Sequence, residues 1–241
     1  MKRTAFLLGL LALWAQAAGF GVAPSRTVLH PRPETRAGAV LTVFSTDGAA
    51  VRPLVVDWRI NPDGDVELLP AGSLPRSLAP YLRVSGEVLK PHPRARLPLE
   101  VRLPAGAEGS YHAALLLVPA TAPPTAGQAL VLEAQAAILH PIFAVVPGTE
   151  RPKLSLDETQ IKDGVLEALL VNRGNVYLRV RAALAALDAH GAILSETVLM
   201  DDVLFPGTTR RLLGRLPARA VVARLVVDAP GVAPIVWEGQ P

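Results

Sequence analysis

The chain has 241 residues, enough for one large domain or two of roughly 100 residues each. Half of it is hydrophobic and only 5% aromatic, and 23 prolines with 19 glycines favour short strands and tight turns over long helices. The absence of cysteine excludes disulfides, thiolate metal sites and thiol nucleophiles.

The first residues read as a secretory signal: Lys2 and Arg3 form a basic region, residues 5–14 an apolar one, and Ala15-Gln16-Ala17 a small-x-small cleavage site. The apolar run is shorter than the roughly 20 residues that span a bilayer, and no cysteine follows it to carry a lipid. The expectation is export with cleavage near Ala17, leaving no stable membrane insertion. Losing Lys2 and Arg3 lowers the formal charge from +3 to about +1, so bulk charge names no partner. No run of basic residues interleaved with aromatics occurs, and nucleic acid is not an expected partner.

Residues 22–29 (VAPSRTVL) read as one edge strand carrying Pro24, and residues 39–44 (AVLTVF) as the next. Residues 52–60 (RPLVVDWRI) alternate up to the turn Asn61-Pro62-Asp63-Gly64, after which residues 66–69 form a short strand. Residues 71–80 are loop-like. Residues 81–88, 95–103 and 110–118 are further strands, the last closed by Pro119. A proline-rich loop, TAPPTAG at residues 121–127, follows.

Residues 129–147 (ALVLEAQAAILHPIFAVVP) make the longest alternating stretch. Leu130, Leu132, Ala134, Ala136 and Ile138 share one face; Val131, Glu133, Gln135, Ala137 and Leu139 share the other. Both faces are substantially apolar. The stretch is therefore either an ordinary core strand or an edge on which one face fills the protein's own core and the other receives a partner.

A polar connector, Pro147-Gly148-Thr149-Glu150-Arg151-Pro152, then divides the chain. Beyond it, residues 154–156, 165–171, 177–187, 193–199, 210–216, 220–227 and 235–237 read as strands, with Asn172-Arg173-Gly174-Asn175 a tight turn and Phe205-Pro206-Gly207 a corner. The expected fold is all-β: two sandwiches and a short linker behind a signal peptide. The expected divisions are 1–17 for the signal, 18–147 for the first domain and 148–241 for the second.

Little here suggests catalysis. His30, His92, His112, His140 and His190 lack metal-ligand spacing, no phosphate loop or Gly-x-Ser-x-Gly occurs, and Asp201-Asp202 reads as a solvated turn. No cofactor and no enzyme activity are expected. Three Trp and three Tyr are few for stacking sugars.

An ordered set of features resembles the periplasmic pilus-assembly chaperones, the PapD-like family. Ser25-Arg26-Thr27-Val28-Leu29 is similar to its first strand, which carries an arginine. Val55-Val56-Asp57-Trp58-Arg59 is similar to its tryptophan strand, and residues 89–103 to a turn and strand ending in an arginine, here Arg102. Residues 111–119 resemble the strand that ends in proline before a mobile loop. Residues 129–146 sit where the family has its long subunit-binding strand, and Asn172-Arg173-Gly174-Asn175-Val176 looks like a turn of its C-terminal domain.

The resemblance implies two immunoglobulin-like sandwiches and a periplasmic chaperone that binds secreted pilus-like subunits by strand addition, delaying their assembly. An outer-membrane usher is a further candidate partner. It implies docking along Leu130, Leu132, Ala134, Ala136 and Ile138, and capture of a subunit's terminal carboxylate by a first-strand arginine, here Arg26, with a lysine on the long strand. Taken alone, Arg26 is as readily a solvated arginine or a partner of Asp57 or Glu133. The long strand contains no Lys or Arg, and His140 is the nearest candidate cation. A structural or adhesive envelope protein built from the same sandwiches is the alternative.

Overall fold

A computed structural model describes residues 19–46, 48–120 and 137–241. Strands Phe20–Ala23 (β1), Thr27–Leu29 (β2), Ala37–Ser45 (β3), Val51–Ile60 (β4), Val66–Leu69 (β5), Leu82–Val84 (β6), Arg94–Val101 (β7), Ser110–Pro119 (β8) and Ile138–Val145 (β9) form the first half. They make two sheets, ordered β1-β3-β7-β6 and β2-β9-β8-β4-β5. The second half contains Leu154–Lys162 (β10), Val165–Asn172 (β11), Leu178–Leu187 (β12), Ile193–Leu204 (β13), Thr209–Arg215 (β14), Val222–Asp228 (β15) and Ile235–Gly239 (β16). Its sheets run β10-β11-β14 and β13-β12-β15-β16. The protein is all-β, with two β-sandwiches and no α-helix among the described residues.

Alternation produces this architecture. In β7, Leu97, Leu99 and Val101 point inward and are buried, while Arg94, Arg96 and Pro98 are exposed. Leu41, Leu97, Leu115, Leu117 and Ile142 have no exposed surface in the first core; Leu166, Leu170, Val180 and Leu225 have none in the second. Each such side chain contributes about 1.5–3 kcal/mol relative to exposure.

The departures from the sequence expectation have local causes. Residues 22–29 do not make one strand. The chain bends over residues 24–26, so that β1 pairs antiparallel with β3 in one sheet while β2 pairs parallel with β9 in the other. Pro24 has no N–H to continue a ladder, and the bend uses that gap to change sheets. Of residues 81–88 only β6 is strand, because a 3₁₀ turn at Ala79–Tyr81 takes up the start. Residues 154–156 extend through Lys162: the polar DETQIK run belongs to an edge strand, with a bulge between Asp157 and Gln160. Asp201 and Asp202 lie within β13, not in a turn, and pair with Arg179 and Arg210. Residues 177–187 are strand, as their alternation requires.

Candidate functional site

The two halves meet at a third cluster, built from the outward face of the β4-β8-β9 region. Trp58, Ala114 and Phe143 pack there with Phe205 of the second half, and Leu139, Tyr177 and Val203 pack around them. Phe205 stands edge-on to Trp58 at 4.9 Å and stacks on His112 at 3.9 Å, while Phe143 lies 4.4 Å from Tyr177. Trp58 donates its indole N–H to the Ala113 carbonyl at 3.2 Å. The His112 Nε2 lies 3.1 Å from the Trp58 carbonyl, which can only accept, so that nitrogen carries the proton.

Polar contacts fix the angle between the halves. Ser110 donates its N–H to the Asn175 carbonyl, and its hydroxyl accepts from the Tyr177 N–H at 2.8 Å. Arg211 donates its backbone N–H to the Pro62 carbonyl, and Arg210 joins Asp202 to the Asn61 carbonyl. Arg151 pairs with Glu108. Gly109 adopts φ +66, and a Cβ placed there would overlap the Asn175 carbonyl oxygen. The turn noticed in the sequence at residues 172–175 thus reaches the junction through Asn175, while the buried Asn172 braces the turn from within the second half by donating to the Val176 and Leu204 carbonyls, both at 2.9 Å.

Strand β9 has an incomplete edge. On one side β8 covers its length, from Ile138 opposite Leu117 to Val145 opposite Ser110. On the other side the short β2 reaches only Ile142, Phe143 and Ala144. No described strand pairs with residues 138–141 there. Ile138, Leu139 and Pro141 are half-buried and His140 is buried, at the point where β2 gives way to its preceding bend.

Arg26 stands at that point. It is exposed, directly precedes Thr27, which pairs with Ile142, and belongs to the outward-facing set with Val28 and Phe143. Its charge reaches Tyr177: burial raises the Tyr177 pKa above its ordinary value, and Arg26 opposes that rise. Tyr177 carried no sequence signal beyond its position at the head of a strand. Its ring packs on Phe143 of the first half, a contact between residues far apart in the chain.

His140 lies elsewhere than on the surface. It is wholly buried, its Nε2 lies 2.9 Å from the Thr27 hydroxyl, and its Nδ1 has no partner. Desolvation lowers its pKa to about 4, so at neutral pH it holds no charge to offer a carboxylate. The signal was present in the alternation, since His140 shares its face with Ile138 and Ile142. Ile138 is half-buried against the first core. Leu130, Leu132, Ala134 and Ala136 lie outside the described residues, as does the signal segment. No group of His, Asp or Glu suited to a metal ion occurs among the described residues, and no helix there is long and apolar enough to cross a membrane.

No protein-family model matches the chain, and no curated protein matches it in sequence. Solved structures do match. A chain of a chaperone–tip adhesin complex of CFA/I fimbriae biogenesis aligns over 93% of this chain and 100% of its own, with a TM-score of 0.54 at 10% identity. The class 5 fimbriae chaperone CfaA aligns over 92% of this chain and 99% of its own, with a TM-score of 0.53 at 9% identity. The chain therefore has the two-domain, immunoglobulin-like β-sandwich fold of a fimbrial chaperone.

Proposed function

We propose that the protein is a periplasmic chaperone that covers an unpaired edge of pilus-like subunits by β-strand addition. The observation that carries this reading is the side of β9 at residues 138–141 that no described strand pairs, next to the bend that holds Arg26. A guest strand laid on that edge continues the line of β2, which runs parallel to β9. If it too runs parallel, its last residue arrives beside Arg26, where a guanidinium can grip the terminal carboxylate through two N–H donors. The apolar residues Leu130, Leu132, Ala134 and Ala136, directly upstream, then offer alternate side chains to the guest. The mechanism needs no nucleotide, metal or covalent step, and the junction between the halves supplies a fixed wall behind the anchor.

Arg26 is the proposed anchor; the neutral, enclosed His140 acts instead by holding β2 to β9 through Thr27. The test is recovery of pilin-like subunits from periplasmic extract on the tagged chain, with wild type set against Arg26→Ala and Leu132→Asp. Both substitutions are expected to lower recovery at least about tenfold. Full recovery with both would overturn the reading.

A further inference from the structure

The outward face of the sheet β1-β3-β7-β6 is strongly basic, and strand addition at the opposite sheet gives it nothing to do. Along β7 the exposed positions carry Arg94 and Arg96 before Pro98 and Glu100, and Arg102 follows on the same side. Arg83 of β6 stands opposite Glu100, and Arg36 leads into β3. Glu100 is the only carboxylate at the outward positions of these strands. It faces Arg36 at 3.5 Å, whereas Arg83, Arg94, Arg96 and Arg102 pair with no carboxylate among the described residues.

In the second half Arg173, Arg179, Arg210, Arg211 and Arg224 each lie within ion-pair distance of an acidic side chain, while the unpaired Arg181, Arg215 and Arg219 are not gathered together on one sheet face. With the signal removed, the chain as a whole carries a formal charge of about +1. Five arginines against Glu100, with Glu34 beside Arg102, still leave the remainder of the molecule net negative. The charge is sorted to one side.

The face also has a shape and an apolar component. Arg36, Arg83, Glu100 and Arg102, with Pro80 and Tyr81, surround a depression of about 150 Å³, of the order of one tetrahedral anion and too small for a peptide segment with side chains. Alternate residues on a strand stand about 7 Å apart and neighbouring strands about 4.8 Å apart, so the guanidinium groups form a flat array. Val40 and Phe44 are each 42% exposed within it, and the Phe44 ring lies over Gly21, where a Cβ would collide with it. Guanidinium forks match phosphate oxygens two at a time, and an aromatic ring beside them suits the boundary between head groups and acyl chains.

We infer that this sheet face is a peripheral docking surface for an anionic phospholipid membrane, with the unpaired Arg83, Arg94 and Arg96 meeting head-group phosphates beside the depression where Glu100 already engages Arg36. Contact of this kind is reversible and weakened by salt, because the groups that make it are exposed. It holds the protein against a membrane with its strand-addition edge, on the other sheet, still free.

The test is co-sedimentation of the mature chain with vesicles of phosphatidylcholine alone or mixed with phosphatidylglycerol. Wild type is expected to bind only the mixed vesicles and to be released by high salt. The double variant Arg83→Glu/Arg96→Glu is expected to partition at least about tenfold less. The control Arg215→Glu/Arg219→Glu makes the same charge change at exposed positions of the second half and is expected to keep most of the binding. All four residues are exposed, so circular dichroism and thermal melts should match wild type. Failure of wild type to bind mixed vesicles overturns the inference, and so does equal loss in both double variants. Binding to polyglutamate without binding to vesicles also overturns it, moving the partner to an acidic protein. Subunit recovery reads the other sheet, so either proposal can fail without the other.

Discussion

The two sandwiches share a topology style but differ in what they leave unfinished. In the second, Arg173, Arg179 and Arg224 pair with carboxylates of the same half, and β11 is flanked on both sides by β10 and β14. Among the described residues the first leaves part of β9 without a partner strand, carries a basic face with few matching carboxylates and holds Arg26 in a bend between two sheets. A sandwich needs none of these to fold. The aromatic junction is where the two halves meet.

The comparison is broken most directly at the junction. Trp58→Ala removes the ring that touches His112, Phe143 and Phe205, and is expected to cost about 3–5 kcal/mol in chemical denaturation. If the junction couples the halves, both should lose stability; a loss confined to the first would show that the second stands alone.

Acid probes the same region. His112 and His140 are both buried with pKa values lowered to about 4 from an ordinary 6.5. Between those values the unfolded chain binds protons that the folded one refuses, so stability falls as the pH drops. The stabilisation is complete above about pH 6.5 and is lost progressively down to about pH 4, up to roughly 3 kcal/mol for each histidine. Denaturation midpoints measured across this range should decline, and His140→Gln should flatten the decline. A midpoint constant from pH 7 to pH 4 would contradict the burial of both rings.

Smaller effects sharpen the contrast. Arg210→Met removes a nearly buried guanidinium that joins Asp202 to the Asn61 carbonyl across the halves, and is expected to cost about 1–3 kcal/mol. Arg224→Ala breaks an exposed pair with Glu238 inside one sheet and is expected to cost less than about 1 kcal/mol by the same measurement. Similar costs for the two would erase the distinction between contacts at the junction and contacts within a half.

Much of the architecture was legible because burial imposes period two on a half-buried strand. Leu97, Leu99 and Val101 announced β7, and the alternation of residues 177–187 outweighed their alanine content. What escaped was non-local. Nothing near Pro24 says that the chain changes sheets there; that is known only once β2 is seen beside β9, more than a hundred residues away. The polar run after Leu156 hid the rest of β10 because an edge strand has little to bury. Arg26 was legible as a residue, but its neighbour Tyr177 was not, since their meeting depends on how the halves dock. His140 was misread in environment: a titratable side chain in a sequence suggests charge, and enclosure removes it.

The meeting of Gly109 with the Asn175 carbonyl has a consequence for how such a molecule can vary. Main chain touches main chain there, and no rotamer can retreat to make room. A residue with any side chain at 109 would act as a wedge, leaving each sandwich folded while opening the angle between them. The geometry that sets Tyr177 against Phe143 therefore hangs on a position that contributes no side chain at all.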